Sequence, residues 1–148
     1  MVKRNLLIIT LMAALATPGC GRRSDLPPLA KVVGVVTLDG QPLKTGTIQF
    51  IPDKSKGTAG RMAVGGIGSD GHFEMTTLVE GDGAQVGHHL VGIQAYEVVG
   101  SQNSDSPTPI ESKALIPEKY GDAATSGLTA EVVSGKVNTI HFDLKSRP

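Results

Sequence analysis

A strand, a two-residue turn and a second strand occupy residues 32–52, and this stretch constrains the fold more than any other. Residues 32–38 are rich in valine, and Asp39-Gly40 follows with two residue types that tolerate a positive φ. Ile48 and Phe50 then alternate with polar neighbours, which is the period of a strand with one buried face. The stretch therefore predicts a β-hairpin or β-arch that opens an all-β domain.

Short strands separated by turns continue to the end of the chain. No segment after the first twenty residues has a helical period, and only 3% of the residues are aromatic, so aliphatic side chains must form the core. About seven strands predict an all-β fold, a seven-stranded antiparallel β-sandwich of the Ig-like kind. The further strand candidates are residues 61–68, 72–76, 88–98, 128–133 and 138–144.

The longest candidate strand, residues 88–98, has apolar side chains on both faces. Val91 and Ile93 alternate onto one face, while Tyr96 and Val98 alternate onto the other. A strand covered on both faces is typical of the middle of a sheet. We therefore expect this strand to be central.

The N-terminal twenty residues have the composition of an export signal. Lys3-Arg4 is positively charged, residues 6–16 are apolar except for one threonine, and small residues lead to Cys20. This pattern resembles a bacterial lipoprotein signal peptide, which implies that residues 1–19 are removed and that Cys20 is the lipidated residue, acylated with chains such as palmitate. The alternatives are an ordinary secretory signal and an uncleaved anchor, although a bilayer span needs about 20 apolar residues.

Cys20 is the single cysteine of the chain, so an internal disulfide is impossible. Lipidation would remove the free thiol, and two or more acyl chains would hold the protein stably on a membrane. The sequence thus predicts a membrane-anchored, extracytoplasmic protein, at the outer membrane or the periplasmic face. Gly21 after the cysteine favours the outer membrane, by the sorting preference of that family.

The domain boundaries follow from this interpretation. Residues 20–30 are polar and then proline-bearing, which is typical of a tether, and residues 31–146 form the sandwich domain. Loss of Lys3 and Arg4 with the leader lowers the number of basic residues from 14 to 12, against 14 acidic residues. A slightly acidic domain is not expected to bind nucleic acid.

Several turns and core positions resemble carboxypeptidase regulatory-like and transthyretin-like domains. Residues 34–43 and 46–50 match the opening of those domains, and residues 69–73 match their Ser-Asp-Gly-x-Phe turn. With residues 116–122 and 125–129, the chain is similar to small planctomycete lipoproteins that contain such a domain. The resemblance implies a transthyretin-like sandwich, but its motifs identify a fold rather than an active site.

The resemblance to transthyretin-like domains does not extend to a catalytic site. The related hydrolases of purine breakdown end in Tyr-Arg-Gly-Ser, whereas residues 145–148 are Lys-Ser-Arg-Pro. The sequence also contains no nucleophile elbow and no phosphate-binding glycine loop. We therefore predict no enzymatic activity, no catalytic residues and no cofactor.

Histidine and aspartate offer the candidate metal ligands. Three of His72, His88, His89 and His141 could bind a metal if the fold brought them together, but His88 and His89 are adjacent on a strand and face opposite sides. We predict that these four are surface histidines.

Three aspartates could instead suggest calcium. Asp39, Asp70 and Asp82 each precede a glycine, so turn geometry already explains them, and no spaced acidic loop accompanies them. We predict turn roles for all three and no metal site.

Lys31 lies at the start of the first predicted strand and Asn138 at the start of the last. From such positions, pilin-type sandwiches form a covalent bond between a lysine and an asparagine, with help from a buried carboxylate. Glu74 and Glu131 are the candidate carboxylates. Lys31 follows a proline-rich tether and Glu131 alternates away from the apolar residues, so both are expected to face water. We predict that the bond does not form.

The sequence thus predicts a lipid-anchored extracytoplasmic envelope protein that serves as a non-catalytic binding or structural module. Its partners would be the membrane, through the anchor, and envelope proteins or polysaccharide, with no ligand-binding residue specified. The alternative is a carbohydrate- or small-ligand-binding surface lipoprotein, and an enzyme of unknown type is a third hypothesis. An exposed row of aromatic residues would favour sugar binding, but the chain has no Trp and only two tyrosines, Tyr96 and Tyr120.

Overall fold

The computed structural model describes residues 27–100 and 111–147, which form an all-β sandwich, and this confirms the predicted fold class. The predicted leader, Cys20 and most of the tether lie outside the described residues. The described ranges contain no helix long and apolar enough to cross a bilayer.

In the described part of the chain there are twelve strands and two short 3₁₀ helices, Lys54–Lys56 and Glu118–Tyr120. The strands are β1 (Leu29–Ala30), β2 (Val32–Leu38), β3 (Gln41–Pro42), β4 (Gly46–Pro52), β5 (Ala63–Ile67), β6 (His72–Glu74), β7 (Ala84–Gln85), β8 (Gly87–Gln94), β9 (Tyr96–Val99), β10 (Glu111–Ala114), β11 (Leu128–Val132) and β12 (Asn138–Leu144).

One large sheet builds the sandwich by curling on itself. Its strand order is β11-β8-β4-β5-β6-β2-β12, with β3 paired to β2, while β1-β7 and β9-β10 form separate two-stranded ribbons. Phe50 of β4 and Phe142 of β12 meet edge to face, with ring centroids 6.3 Å apart. Strands far apart in the sheet order therefore face each other across one aliphatic and aromatic core.

The opening stretch has the predicted strand and turn. β2 has the predicted bounds, and Asp39 and Gly40 take φ values of 51° and 81°, as a tight hairpin turn requires. The hairpin is short, because β2 pairs with only the two residues of β3 before the chain continues into β4, which pairs with β5 and β8. The stretch is thus a short hairpin that continues into an arch.

The last strand pairs in parallel with β2, from Asn138 opposite Val32 to Leu144 opposite Leu38. This pairing departs from a purely antiparallel sandwich. The physical reason is that β11 and β12, although consecutive, lie at opposite ends of the curled sheet, so the turn between them crosses from one half of the sandwich to the other. The Asn138 side chain holds this crossing, because its Oδ1 accepts from the N–H of Val133 at 2.9 Å and its Nδ2 donates to the carbonyl oxygen of Val133 at 3.0 Å.

Gly34 of β2 allows a close approach of backbone and side chain in the core. A Cβ atom at this position would lie 1.9 Å from the carbonyl oxygen of Ile140 and 2.6 Å from Cζ of Phe73. The Phe73 ring stacks on that of Phe142, with centroids 6.3 Å apart. A glycine is therefore needed where the aromatic core packs against β2.

The predicted strand 88–98 is divided in two. β8 lies between β11 and β4 and is central, and Val91 and Ile93 are buried as predicted. The expectation of a second covered face was wrong, because Tyr96 is 53% exposed and Val98 is 70% exposed. After Gln94 the chain leaves the main sheet, and β9 pairs only with β10.

Candidate functional site

Cys20, the predicted lipidation residue, lies outside the described residues, so the described chemistry is that of the sandwich domain. Within residues 27–100 and 111–147, no three His, Cys, Asp or Glu side chains come together as metal ligands. His72 and His141 are exposed, and His88 is half-buried. His72 and His141 both lie opposite Val35 on the strands that flank β2, but no third ligand joins them among the described residues.

His89 departs from its predicted place at the surface. Its side chain is 0% exposed, and its ring packs against that of Phe50 with centroids 5.6 Å apart. Nδ1 lies 3.2 Å from the carbonyl oxygen of Gly87, whereas Nε2 has no hydrogen-bond partner among the described residues. Burial lowers the pKa of His89 below its usual value, although the bond to Gly87 opposes this. The imidazole is therefore a neutral core residue.

The three aspartates next to glycines accept hydrogen bonds from the backbone. Asp39 accepts from the N–H of Ser146 at 3.1 Å, and Asp70 accepts from the N–H of His72 at 3.1 Å. Asp82 accepts from three successive N–H groups, those of residues 77–79, at 2.7 to 2.9 Å. Burial raises the pKa of Asp82, but the three donors outweigh it and hold the pKa below its usual value. Turn formation accounts for the side chains of Asp70 and Asp82, whereas Asp39 lies in a turn but its carboxylate binds the backbone that follows β12.

A cluster of three side chains, Thr37, His141 and Asp143, has the residue types of a hydrolase triad. Its arrangement differs from that of a triad. The Thr37 hydroxyl donates to Asp143 Oδ1 at 2.9 Å, and its oxygen lies 3.2 Å from Nε2 of His141. A triad needs the imidazole between hydroxyl and carboxylate. Hydrogen bonds from Lys145 and Thr37 lower the pKa of Asp143 to about 2, so it is a weak base. The cluster fastens β12 to β2 and does not activate Thr37.

The strands β9 and β10 form a ribbon in which every residue is exposed. Cross-strand partners share a face, so Tyr96 lies beside Ala114 and Val98 lies beside Ser112 on what we call the ribbon face. The opposite face contains the Glu97–Lys113 pair and is charged. A two-stranded ribbon is only marginally stable in water by itself. Among the described residues, the uncharged ribbon face therefore has no packing partner.

A groove of about 270 Å³ continues from the ribbon face. Tyr96 and Ala114 line the groove and also lie on the ribbon face, so the two surfaces are continuous. The groove lies between the end of β8 and the second 3₁₀ helix. Its apolar lining includes Ile93, Ile116 and Pro117, and its polar lining includes Gln94, Glu118 and Asp122.

Hydrogen bonds fix the loop that borders the groove. The Gln94 and Gln49 side chains both donate to the carbonyl oxygen of Gly121, at 3.3 and 3.4 Å. Asp122 Oδ1 accepts from the N–H of Ala124 at 2.8 Å. The carboxylate of Asp122 has a second oxygen and the Gln94 amide has its carbonyl oxygen, so each adds acceptor capacity to a fixed wall.

Sequence reasoning missed this groove. The alternation in residues 88–98 identified Tyr96 and Val98 as apolar positions but assigned them to a covered face. The signal that could have found the surface is the polar sequence of residues 111–114, which offers no apolar side chain large enough to cover them. With small or polar side chains beside them, Tyr96 and Val98 need a second layer to cover them, and the described residues supply none.

No family model matches the chain, and no curated protein matches it. Among solved structures, the chain is similar to a 9R-lipoxygenase from Cyanothece PCC8801, with a TM-score of 0.36 and 14% sequence identity. The match covers 79% of this chain and 16% of the lipoxygenase chain. A likeness this low supports no statement about activity.

Proposed function

We propose that the protein is a lipid-anchored, extracytoplasmic module that binds a partner in the cell envelope and catalyses no reaction. The observation that supports binding best is the ribbon face, which exposes Tyr96 and Val98 and continues into the groove. Exposed apolar patches joined to a concavity are typical of interaction sites. The cluster around Thr37, which has the residue types of a triad, has the wrong geometry for acyl transfer.

The proposed anchor rests on the N-terminal sequence. An apolar leader that ends at the single cysteine supports lipidation of Cys20, and a tether would then place the sandwich close to the membrane. The sandwich and its Asp-Gly turns also support a place among small lipoproteins with a carboxypeptidase regulatory-like domain.

Lipid labelling tests the anchor. Cells that express the full chain are grown with a labelled fatty acid, and the membrane fraction is compared for the wild type and Cys20→Ser. We expect Cys20→Ser to lose the label and leave the membrane fraction, while Ser24→Ala, a small change in the tether, keeps both. Label or membrane association that persists in Cys20→Ser would contradict the proposal.

Site-specific photocrosslinking in the cell envelope tests the binding surface. A photoreactive residue replaces Val98 on the ribbon face or Val137 in the turn between β11 and β12, where the side chain is also exposed. We expect discrete crosslinked adducts from position 98 and none from position 137. Equal adducts from both positions, or none from either, would contradict a binding role for the ribbon.

A carbohydrate-binding role is the second candidate. Tyr96 is an exposed aromatic ring at the groove, beside the amide of Gln94 and the carboxylates of Glu118 and Asp122. An aromatic ring with nearby hydrogen-bonding groups is able to hold a single sugar ring. Soluble oligosaccharides test this candidate in the experiment below.

A further inference from the structure

We infer that the groove binds an arginine side chain from an extended segment of a protein partner, with the rest of that segment lying on the ribbon face. This inference rests on the proposed binding function and specifies its partner. Three features of the groove lead to it: its size, its apolar walls and its charge.

The size and walls of the groove suit one long side chain. Sites for drug-sized ligands usually have volumes of roughly 300 to 1,000 Å³, and this groove, at about 270 Å³, is smaller. Ala114 and Pro117 supply the accessible aliphatic walls, whereas Ile93 and Ile116 are buried. Arginine and lysine bury their methylene stems along such surfaces while the charged group reaches a polar rim.

The charge of the groove selects a cation. Of the described residues that line it, Glu118 and Asp122 are acidic and none is basic. Tyr96 adds an aromatic ring, whose face attracts a cation. Arginine fits this set better than lysine, because its planar guanidinium pairs with a carboxylate through two parallel bonds and stacks on aromatic rings.

The ribbon favours a polypeptide over a sugar as the source of the cation. Val98 is 70% exposed and lies next to Tyr96 on the ribbon face, outside the groove, where a sugar ring held by Tyr96 would leave it uncovered. An extended segment that lies on the ribbon face would cover both side chains and give a marginal two-stranded ribbon a packing partner. Residues next to the bound arginine would then contact Val98.

The test uses the full chain, labelled with ¹⁵N in detergent micelles, and titrations followed by NMR. The probes are the peptide acetyl-Ser-Val-Arg-Val-Ser-amide, the same peptide with citrulline in place of arginine, and the oligosaccharide cellohexaose. Citrulline has the shape of arginine without its charge. We expect the arginine peptide to shift the amide signals of Tyr96 and Gly121, and the citrulline peptide to bind at least about tenfold more weakly. Added salt should weaken binding of the arginine peptide only.

Matched variants locate the site. Glu118→Gln should weaken binding of the arginine peptide at least about fivefold, whereas Glu131→Gln removes the same charge at a distance and should change nothing. Glu131 pairs with His88, near the opposite end of β8 from Gln94, so it lies roughly 20 Å from the groove. Asp122→Asn is a second variant, because asparagine keeps an acceptor oxygen for the N–H of Ala124.

Several results would overturn the inference. Equal affinity for the arginine and citrulline peptides would remove the role of charge, and unchanged affinity in both Glu118→Gln and Asp122→Asn would place the peptide elsewhere. Binding of cellohexaose at Tyr96, without binding of the peptide, would favour the carbohydrate candidate. These results can be told apart from a failure of the proposed function. If the proposed function fails, the photoreactive residue at position 98 gives no crosslinks in the envelope.

Discussion

Nζ of Lys31 lies 2.6 Å from Oε1 of Glu74, and the pair lies at the surface, with each side chain about half exposed. The side-chain amide of Asn138 is bonded instead to the backbone of Val133, and it also donates to the carbonyl oxygen of Lys31 at 3.2 Å. Lys31 and Asn138 therefore meet through the Lys31 backbone, while the ammonium group faces a different partner in water.

This geometry leads us to expect no Lys–Asn crosslink. The reaction needs an uncharged amine in an apolar surround, and the Lys31 side chain is 51% exposed. Intact-mass measurement of the protein should show no loss of ammonia beyond the changes of lipid processing. Lys31→Ala should also destabilise the fold by less than about 1 kcal/mol, because exposed ion pairs contribute little. A mass deficit that disappears in Lys31→Ala would contradict this prediction.

Phe142 should be among the most sensitive positions of the core. Its ring is buried between those of Phe50 and Phe73, so Phe142→Ala should lower the free energy of unfolding by roughly 3–5 kcal/mol. His141, its neighbour on the exposed face of β12, provides the control, and His141→Ala should change stability by less than about 1 kcal/mol. Urea unfolding measures both, and equal midpoints would contradict the assigned facing.

His89 should make the fold less stable at mildly acidic pH. Its pKa in the folded protein lies below the usual 6.5, so the unfolded chain binds the proton more tightly. The full stability is therefore present above about pH 6.5 and is lost as the pH falls below that value. We expect urea midpoints to fall between about pH 7.5 and about pH 5 in the wild type. The fall in midpoint should be smaller in His89→Gln than in the wild type. In the surface control His141→Gln it should equal that of the wild type.

Asp82 should stabilise its loop through the three N–H groups of residues 77–79. Asp82→Ala leaves these donors without their acceptor, and we expect a loss of about 1–2 kcal/mol in the free energy of unfolding. Asp70 provides the control, since its carboxylate accepts one backbone N–H in an exposed turn. Thermal unfolding that showed equal losses for Asp82→Ala and Asp70→Ala would contradict this account.

The sequence by itself determined the local structure. The valine-rich run set the bounds of β2, and Asp39-Gly40 set the turn, because φ preferences and side-chain alternation act between near neighbours. The same alternation identified β12 and the buried position of Phe142. These features depend on interactions within a few residues, and a single sequence contains them.

Only the tertiary structure decided which strands meet. The sequence of β12 is compatible with pairing to β11 in a hairpin, yet β12 runs parallel to β2, because the last turn crosses the sandwich. His89 is buried because β8 pairs with β4, which places its ring diagonally beside that of Phe50 on the core face of the sheet. The groove exists because the chain leaves the main sheet after Gln94, so that β9 pairs with β10 alone. Alternation assigns a side chain to one of two faces, but long-range pairing decides what covers each face.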